Sequence, residues 1–432
     1  MCISWVEEMG EKTRIVLTTV IIRAAFAPFF AHIWDVNTLQ IYSNYFVQGL
    51  NIYEDTFKKS LRLQNITGLP IFYEGYAYLP HAIMIFAPFY LAFLALGGNP
   101  LPILGVYDPA HPVKVCFLPD VYLFLLIIKL PMIIADALIT LVLYKHGKLY
   151  AWLYALSPYS IFISSVWGMF DSIVALFLLF AIMCLEAGKD IEAGISYGIS
   201  LMKLYTVYAF PVIAIAILRG RKLRSFLKFM FGLLMSQVPT FYYFLLDQKA
   251  FASSILLFHG TRFGGGMTPL NVLWCTFNLP FNVGVSRIVM LVSVGAWITS
   301  LFCAIKMKLP LREAILLTTM TGVFFGKIVN EQYLLSVYPI LLLTAPKKAR
   351  ELEKYPIIFS MFKSTPIYFA IPLLSAIPQF RSISSMYYGA LGAEEIFFIS
   401  HTALFIIGTL FLLKIFLFLL HLLRSKQGYY AK

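Results

Sequence analysis

An aspartate stands just past the first hydrophobic stretch of this chain, in the string His32-Ile33-Trp34-Asp35. A carboxylate immediately outside an apolar helix is a poor membrane anchor but a good general base, because it can take a proton from a hydroxyl within hydrogen-bond reach. A purely structural interpretation is that Asp35 ends a helix or pairs with a nearby cation. The position of Asp35 predicts a catalytic base.

Other polar and aromatic side chains stand at the ends of later apolar stretches. A reaction between a hydroxyl nucleophile and an anionic leaving group needs one base and several cations that stabilise the developing charge. Aromatic side chains beside them could stack on a substrate. The candidate substrate-binding residues are Tyr78, His81, Trp167, Asp171, Lys203, His259, Arg262, Lys327 and Glu331.

Each candidate also has a structural interpretation. Asp171 begins an apolar helix, where a carboxylate caps free N–H groups. Lys327 and Glu331 are four residues apart and could form a surface pair. Trp167 and Tyr78 could belong to an interfacial aromatic belt. A loop histidine such as His259 is a weak signal alone.

Two further patterns carry alternatives of the same kind. Arg262 is followed by Gly264-Gly265-Gly266, a combination that suits phosphate binding but also fits a mobile loop. Lys129 and Asp136 are seven residues apart on one helix face, which predicts an ion pair that fixes helix packing. No HxxxH, HExxH or DxD pattern occurs, so the motifs do not indicate a metal.

The composition predicts the elements that position these residues. Of 432 residues, 60% are hydrophobic and 13% are charged, whereas a soluble domain has about 25% charged residues. Apolar runs of about 20 residues recur, which predicts an all-α polytopic membrane protein. The first run, 15–31, is a retained span. The net charge of +13 lies in short loops, which favours membrane lipids over nucleic acid as the partner.

The basic loops predict the topology through the positive-inside rule. They hold Lys145 and Lys148, Arg219–Lys228, Lys306 to Arg312, Lys347–Lys354 and the C-terminal tail. Placing them all in the cytoplasm predicts about twelve crossings in one domain, 1–432, with external loops at 32–118 and 248–282. Residues 78–97 are then juxtamembrane or re-entrant, and 192–219 forms two half-helices meeting near Lys203. In the alternative topology, 78–97 and 192–219 each cross once.

Several short motifs, in this order along the chain, resemble the GT-C superfamily of membrane glycosyltransferases. The stretch from Ser157-Pro158 to Asp171-Ser172-Ile173-Val174-Ala175 resembles GPI mannosyltransferase I catalytic subunits, as does Lys327 to Leu335. Lys129 to Asp136, Tyr78-Leu79-Pro80 and Lys203 to Pro211 are also similar to dolichyl-phosphate-glucose glucosyltransferases. Asn37 stands where a second acidic residue would follow Asp35, and the Tyr-Pro-Pro motif is degraded.

The resemblance implies a GT-C-like bundle and an inverting transfer of a hexose, with mannose favoured. The donor would be a polyprenyl-phosphate or dolichyl-phosphate sugar, without a cofactor and with metal dependence open. The acceptor would be lipid-linked or a glycolipid, at the external or lumenal face of a plasma membrane or an endoplasmic-reticulum-type membrane. A secondary transporter with a polar site between broken helices is the main alternative class, and a non-catalytic assembly subunit is the third.

Overall fold

Helices make up nearly all of the chain that the structure describes. The computed structural model describes residues 2–54, 58, 76–100, 120–220, 222–261, 265–270, 283–374 and 394–430. Within these ranges one pair of two-residue parallel strands, Gly265–Gly266 and Ile328–Val329, accompanies the helices. The all-helical expectation is confirmed.

The described helices divide into two groups along the chain. In the first half they are α1 Cys2–Phe26, α2 Ile33–Val47, α3 His81–Ala95, α4 Val121–His146, α5 Lys148–Ala155, α6 Pro158–Ile161, α7 Asp171–Glu186, α8 Asp190–Ser200, α9 Phe210–Gly220, α10 Leu223–Ser236 and α11 Val238–Leu246. In the second half they are α12 Gln248–Ala252, α13 Phe258–Thr261, α14 Val283–Lys306, α15 Leu311–Phe324, α16 Tyr333–Thr344, α17 Pro346–Leu352, α18 Lys354–Leu374 and α19 Glu394–Tyr430.

Within the described residues, three helical segments are long and apolar enough to cross a membrane. They are Val121–His146, Arg287–Lys306 and His401–Arg424, and α10 with α11 makes a fourth if this pair, bent by 49°, counts as one span. Shorter apolar helices also occur in the described ranges; the 12 residues of α16 extend about 18 Å. The hydrocarbon core of a bilayer is about 30 Å thick. The protein is therefore a helical chain with a few candidate membrane spans.

Helix α4 lies at the centre of the first half and packs against α1, α3, α5 and α7. Asp136 on this helix is fully buried and accepts a hydrogen bond from Arg23 Nε of α1 at 2.6 Å. Tyr154 donates to its other oxygen at 2.5 Å. The predicted pair between Lys129 and Asp136 is therefore wrong. An arginine from a neighbouring helix neutralises the carboxylate instead.

Lys129 has a different function, because its ammonium group binds backbone carbonyls. Its Nζ donates to Ala27 O at 3.0 Å, to Ser165 O at 2.7 Å and to Phe30 O. The carbonyls of Ala27 and Phe30 follow the end of α1, whereas Ser165 belongs to a π-helical turn, Phe162–Trp167. The lysine thus connects the chain after α1 to the turn that ends at Trp167.

The helix break predicted near Lys203 is present. Helix α8 ends at Ser200, a 3-10 helix runs from Leu204 to Ala209, and α9 starts at Phe210. Thr206 stabilises the break, since its Oγ1 donates to Ser200 O at 3.1 Å. The extended backbone of Lys203 between the two helices directs its side chain into the protein, where it is 3% exposed.

The contact between α8 and α10 predicts a specific effect of glycine substitution. A Cβ atom at Gly194 would lie 2.0 Å from Phe229 O, because the two backbones touch. We expect Gly194→Ala to lower the free energy of unfolding by about 1–3 kcal/mol, as overpacking does, measured by thermal melting in detergent micelles. The control is Gly295→Ala on α14, where a Cβ meets nothing within 4 Å. That variant should be stabilised by about 0.5–1 kcal/mol, and equal melting of both variants would contradict the prediction.

Candidate functional site

Asp35 lies in the first turn of α2 and contacts two polar side chains. His32 Nδ1 lies 2.7 Å from Asp35 Oδ2, and Trp167 Nε1 donates to the same oxygen at 2.7 Å. Both contacts leave Oδ1 unused, and the side chain is 19% exposed. The two contacts thus orient the carboxylate through Oδ2 and leave Oδ1 outside both contacts.

The chain around Asp35 is positioned by two distant segments. The backbone N–H of His32 donates to Trp167 O at 2.8 Å, and the two rings stack with centroids 4.8 Å apart. Ala31 N donates to Phe369 O of α18 at 3.0 Å. Because the π-helical turn and α18 both bind the backbone just before α2, the orientation of Asp35 depends on three separate parts of the sequence.

The pKa of Asp35 is lower than its ordinary value. Burial alone would raise this pKa, but the neighbouring His32, the hydrogen bond from Trp167 and the charge of Lys203 together lower it more. The carboxylate is therefore ionised at neutral pH, as a general base must be. The influence of Lys203 also shows that the second polar group of the site lies within electrostatic range.

This second group is a buried ion pair between Lys203 and Asp171. Lys203 Nζ lies 2.5 Å from Asp171 Oδ2, and Tyr205 donates to Asp171 Oδ1. The ammonium also lies 4.4 Å from the ring centroid of Phe170 and 5.5 Å from that of Tyr78. Asp171 therefore accepts side-chain donors rather than capping α7. Asp171 thus neutralises Lys203 within the protein, and the phosphate contact of Lys203 stays a prediction.

An aromatic contact connects this pair to the turn after α15. The rings of Tyr205 and Tyr333 have centroids 4.6 Å apart, and Asn330 Nδ2 donates to Tyr333 Oη at 3.1 Å. Lys327 lies at the start of the same turn, and burial lowers its pKa. The turn that carries Lys327 therefore belongs to the same region as Asp171.

The two short strands join this turn to the glycine-rich loop. Gly265 pairs with Ile328 and Gly266 with Val329, and Met267 N donates to Val329 O at 2.6 Å. Gly266 has a φ of +70°, and a Cβ there would lie 2.0 Å from Val329 O, so only glycine fits this approach. Arg262, predicted to bind phosphate, lies outside the described residues.

Three predicted residues have structural partners of their own. His81 Nε2 lies 2.6 Å from Ser236 O, and His259 Nε2 lies 2.9 Å from Ala77 O. Glu331 is 1% exposed and pairs with Lys363 at 3.0 Å. The suggested surface pair with Lys327 is therefore wrong, because the turn between them is not helical. Each of these three side chains therefore has a partner within the protein, and their contacts with a substrate stay predictions.

Two residues at the centre had no role in the sequence-based prediction. His32 supports Asp35; it stands directly before α2, and its position three residues ahead of Asp35 was the available signal. Tyr205 binds Asp171 from the far side of the helix break, and no spacing rule predicts that contact. Trp167 is 4% exposed and acts as a hydrogen-bond donor, so the aromatic-belt interpretation does not apply to it.

A search for metal sites and comparisons with known proteins complete the description of the site. Within the described ranges, no three His, Cys, Asp or Glu side chains converge in a way that could hold a metal ion. No family model, curated protein or solved structure matches the chain. The resemblance to GT-C enzymes therefore depends on the short motifs and on the chemistry of the site.

Proposed function

We propose that this protein is a GT-C-like membrane glycosyltransferase that moves a hexose, with mannose favoured, from a polyprenyl-phosphate carrier to an acceptor hydroxyl. The observation that carries the proposal is the carboxylate of Asp35. It is ionised and oriented by His32 and Trp167, it has an oxygen that they do not use, and it lies within electrostatic range of a buried ammonium group. A general base needs these properties.

The proposed reaction is a single inverting displacement. Asp35 takes the proton of the acceptor hydroxyl, whose oxygen attacks the anomeric carbon while the bond from that carbon to the phosphate oxygen breaks. The bonding electrons leave with the polyprenyl phosphate, which needs little acid assistance because it is a stable anion. Lys327 and Arg262 stabilise the developing charge, since fixed cations act strongly in a site that excludes water.

The membrane provides the setting for this reaction. The lipid carrier requires an enzyme within the bilayer, and the three or four candidate spans support such a location. We extend this to about twelve crossings, with the short helices completing a GT-C-like bundle. The base faces the external or lumenal side of a plasma membrane or an endoplasmic-reticulum-type membrane. The acceptor is a lipid-linked oligosaccharide or a glycolipid.

The direct test is sugar transfer by purified protein in liposomes. Dolichyl-phosphate-mannose with a radiolabelled sugar should lose its label to a lipid acceptor, and free dolichyl phosphate should accumulate in equal amount. Dolichyl-phosphate-glucose is the matched alternative donor. Absence of transfer from both donors to a panel of lipid acceptors would contradict the proposal.

A secondary transporter is the second candidate, and the helix break favours it. Transporters place charged sites at discontinuous helices, and the Lys203–Asp171 pair lies at the break between α8 and the 3-10 helix. The liposome assay separates the two functions. A transporter moves an intact solute across the vesicle membrane and leaves the donor unhydrolysed, whereas a transferase changes the glycosidic bond.

Lys327 provides a specific prediction for the donor phosphate. We expect Lys327→Ala to lower kcat/KM for the donor about a hundredfold, because removal of one charge-stabilising donor costs on the order of 3 kcal/mol. Steady-state transfer kinetics measure this effect. Lys222→Ala, at an exposed lysine of another loop, is the control and should transfer normally. Equal kinetics for both variants would show that Lys327 does not stabilise the donor phosphate.

The contact from Trp167 predicts a change in pH dependence. Transfer requires ionised Asp35, so activity falls as the pH drops through the pKa of that group. Trp167→Phe removes a donor that lowers this pKa and should move the acid limb of the pH–rate profile to higher pH. Trp152→Phe on α5 is the control and should leave the limb in place. An unchanged limb in the Trp167 variant would contradict the assignment of Asp35 as the base.

A further inference from the structure

A cavity of about 380 Å³ opens between α9, α14 and α15, far along these helices from Asp35. Its walls are apolar and come from Val212, Ile215, Ala216, Ala304, Leu309 and Ala314. Helix α9 runs from the 3-10 helix after Lys203 to this cavity, and α15 runs from the cavity towards Lys327. The cavity therefore belongs to the opposite end of the helices from the candidate active site.

Two cationic side chains, Arg219 and Lys308, line the same cavity. Arg219 Nη1 donates to Ile305 O at 2.9 Å, which holds the guanidinium group of α9 against the end of α14. Both residues are exposed, so their charges lie at the opening. The cavity thus combines an apolar interior with a positive entrance.

The backbone of Lys308 is unusual. Its φ is +48°, the only positive value at a non-glycine position in the described ranges. Lys308 N donates to Ile305 O at 3.3 Å and Leu309 N to Ala304 O at 3.1 Å, the pattern that ends a helix with a left-handed residue. Glycine normally occupies this position because a side chain is disfavoured there. A lysine at such a site is a starting point for a functional hypothesis.

The position of the opening relative to the bilayer identifies the ligand. The candidate span Arg287–Lys306 ends two residues before Lys308, and only 17% of that span is buried within the protein. As a membrane span, this exposed helix would face lipid, and its end would lie at the membrane–water interface, where phospholipid phosphates lie. A phosphate at the entrance and an acyl chain in the interior match the charge and polarity of the cavity.

We propose that this cavity binds an anionic phospholipid, with the phosphate at Arg219 and Lys308 and one acyl chain between α9, α14 and α15. The site is separate from Asp35 and does not depend on the transferase proposal. Lipid charge in the adjoining leaflet would then determine its occupancy, since each cation near the surface strengthens the attraction to anionic lipid.

Lipid retention by the full chain tests this site. The protein is placed in nanodiscs of phosphatidylcholine and phosphatidylglycerol in equal parts, extracted into detergent, and analysed for bound lipid by native mass spectrometry. Phosphatidylglycerol should be enriched over phosphatidylcholine. Lys308→Gly and Arg219→Ala should each reduce this enrichment about fivefold. Lys308→Gly should fold at least as well as the wild type, because glycine suits its backbone.

Three further variants complete the test. Lys308→Arg should retain the enrichment, and Lys222→Ala, a cation outside the cavity, should also retain it. Ala216→Leu narrows the apolar interior while keeping both charges and should reduce retention of phosphatidylglycerol. Equal retention by the wild type, Lys308→Gly and Arg219→Ala would overturn the proposal. Normal retention by Ala216→Leu would overturn the placement of the acyl chain.

Discussion

Replacing Asp35 by asparagine should abolish most sugar transfer while leaving the protein folded. Asn preserves the shape of the side chain and can still accept the hydrogen bond from Trp167, but it cannot take a proton from the acceptor. General base catalysis contributes about 10²–10⁴-fold to rate, so we expect kcat to fall by that factor. Initial rates with a radiolabelled polyprenyl-phosphate hexose measure the loss.

The control for this experiment lies in the same part of the chain. Glu54 is an exposed acidic residue shortly after α2, with 46% of its side chain accessible, and Glu54→Gln makes the same chemical change without touching the site. It should transfer sugar normally. The Asp35→Asn protein should also retain the donor in a binding assay. Transfer by the Asp35 variant at a rate close to the wild type would refute the mechanism.

The largest effect on stability should come from Arg23. Its guanidinium group is fully buried and bonds to Asp136 at 2.6 Å, Ser160 at 2.7 Å and Ala155 O at 3.0 Å. Arg23→Met leaves the carboxylate of Asp136 buried without its cation, a change that typically costs about 3–5 kcal/mol. Thermal melting in detergent should therefore show a large decrease in melting temperature.

A second variant separates the lost ion pair from lost packing. Replacing both charges, as Arg23→Met with Asp136→Leu, removes the uncompensated carboxylate and should recover much of the stability, because apolar replacements of buried pairs are often tolerated. Arg14→Met, at an exposed position on the same helix, should melt like the wild type. A double variant no more stable than Arg23→Met would contradict this explanation.

The helical class and the position of the Lys203 break could be predicted because both depend on local patterns. Apolar runs predict helices, and the requirement that Arg219–Lys228 lie on one side forced a break near Lys203. The number of membrane crossings does not follow from local patterns. Helices such as α15 are too short to meet a length criterion alone, so their relation to a membrane depends on neighbouring helices rather than on their own sequence.

The side-chain partners were harder to predict, because they come from distant segments. Lys129 and Asp136 are seven residues apart, and that spacing suggested an ion pair. In the structure, Asp136 pairs with Arg23 from another helix instead. In the same way, Lys363 rather than Lys327 pairs with Glu331. Local spacing identifies which side chains share a helix face, but only the packing of helices determines which charges meet.

The positions of the Arg23 partners along the chain determine when its contacts can form during synthesis. Asp136, Tyr154 and Ser160 follow Arg23 by 113, 131 and 137 residues. At about 5–20 residues per second, a ribosome needs roughly 7–27 s to reach Ser160 after Arg23. A bare guanidinium group cannot enter an apolar interior without its partners. We therefore expect the final packing of α1 to follow the synthesis of Ser160.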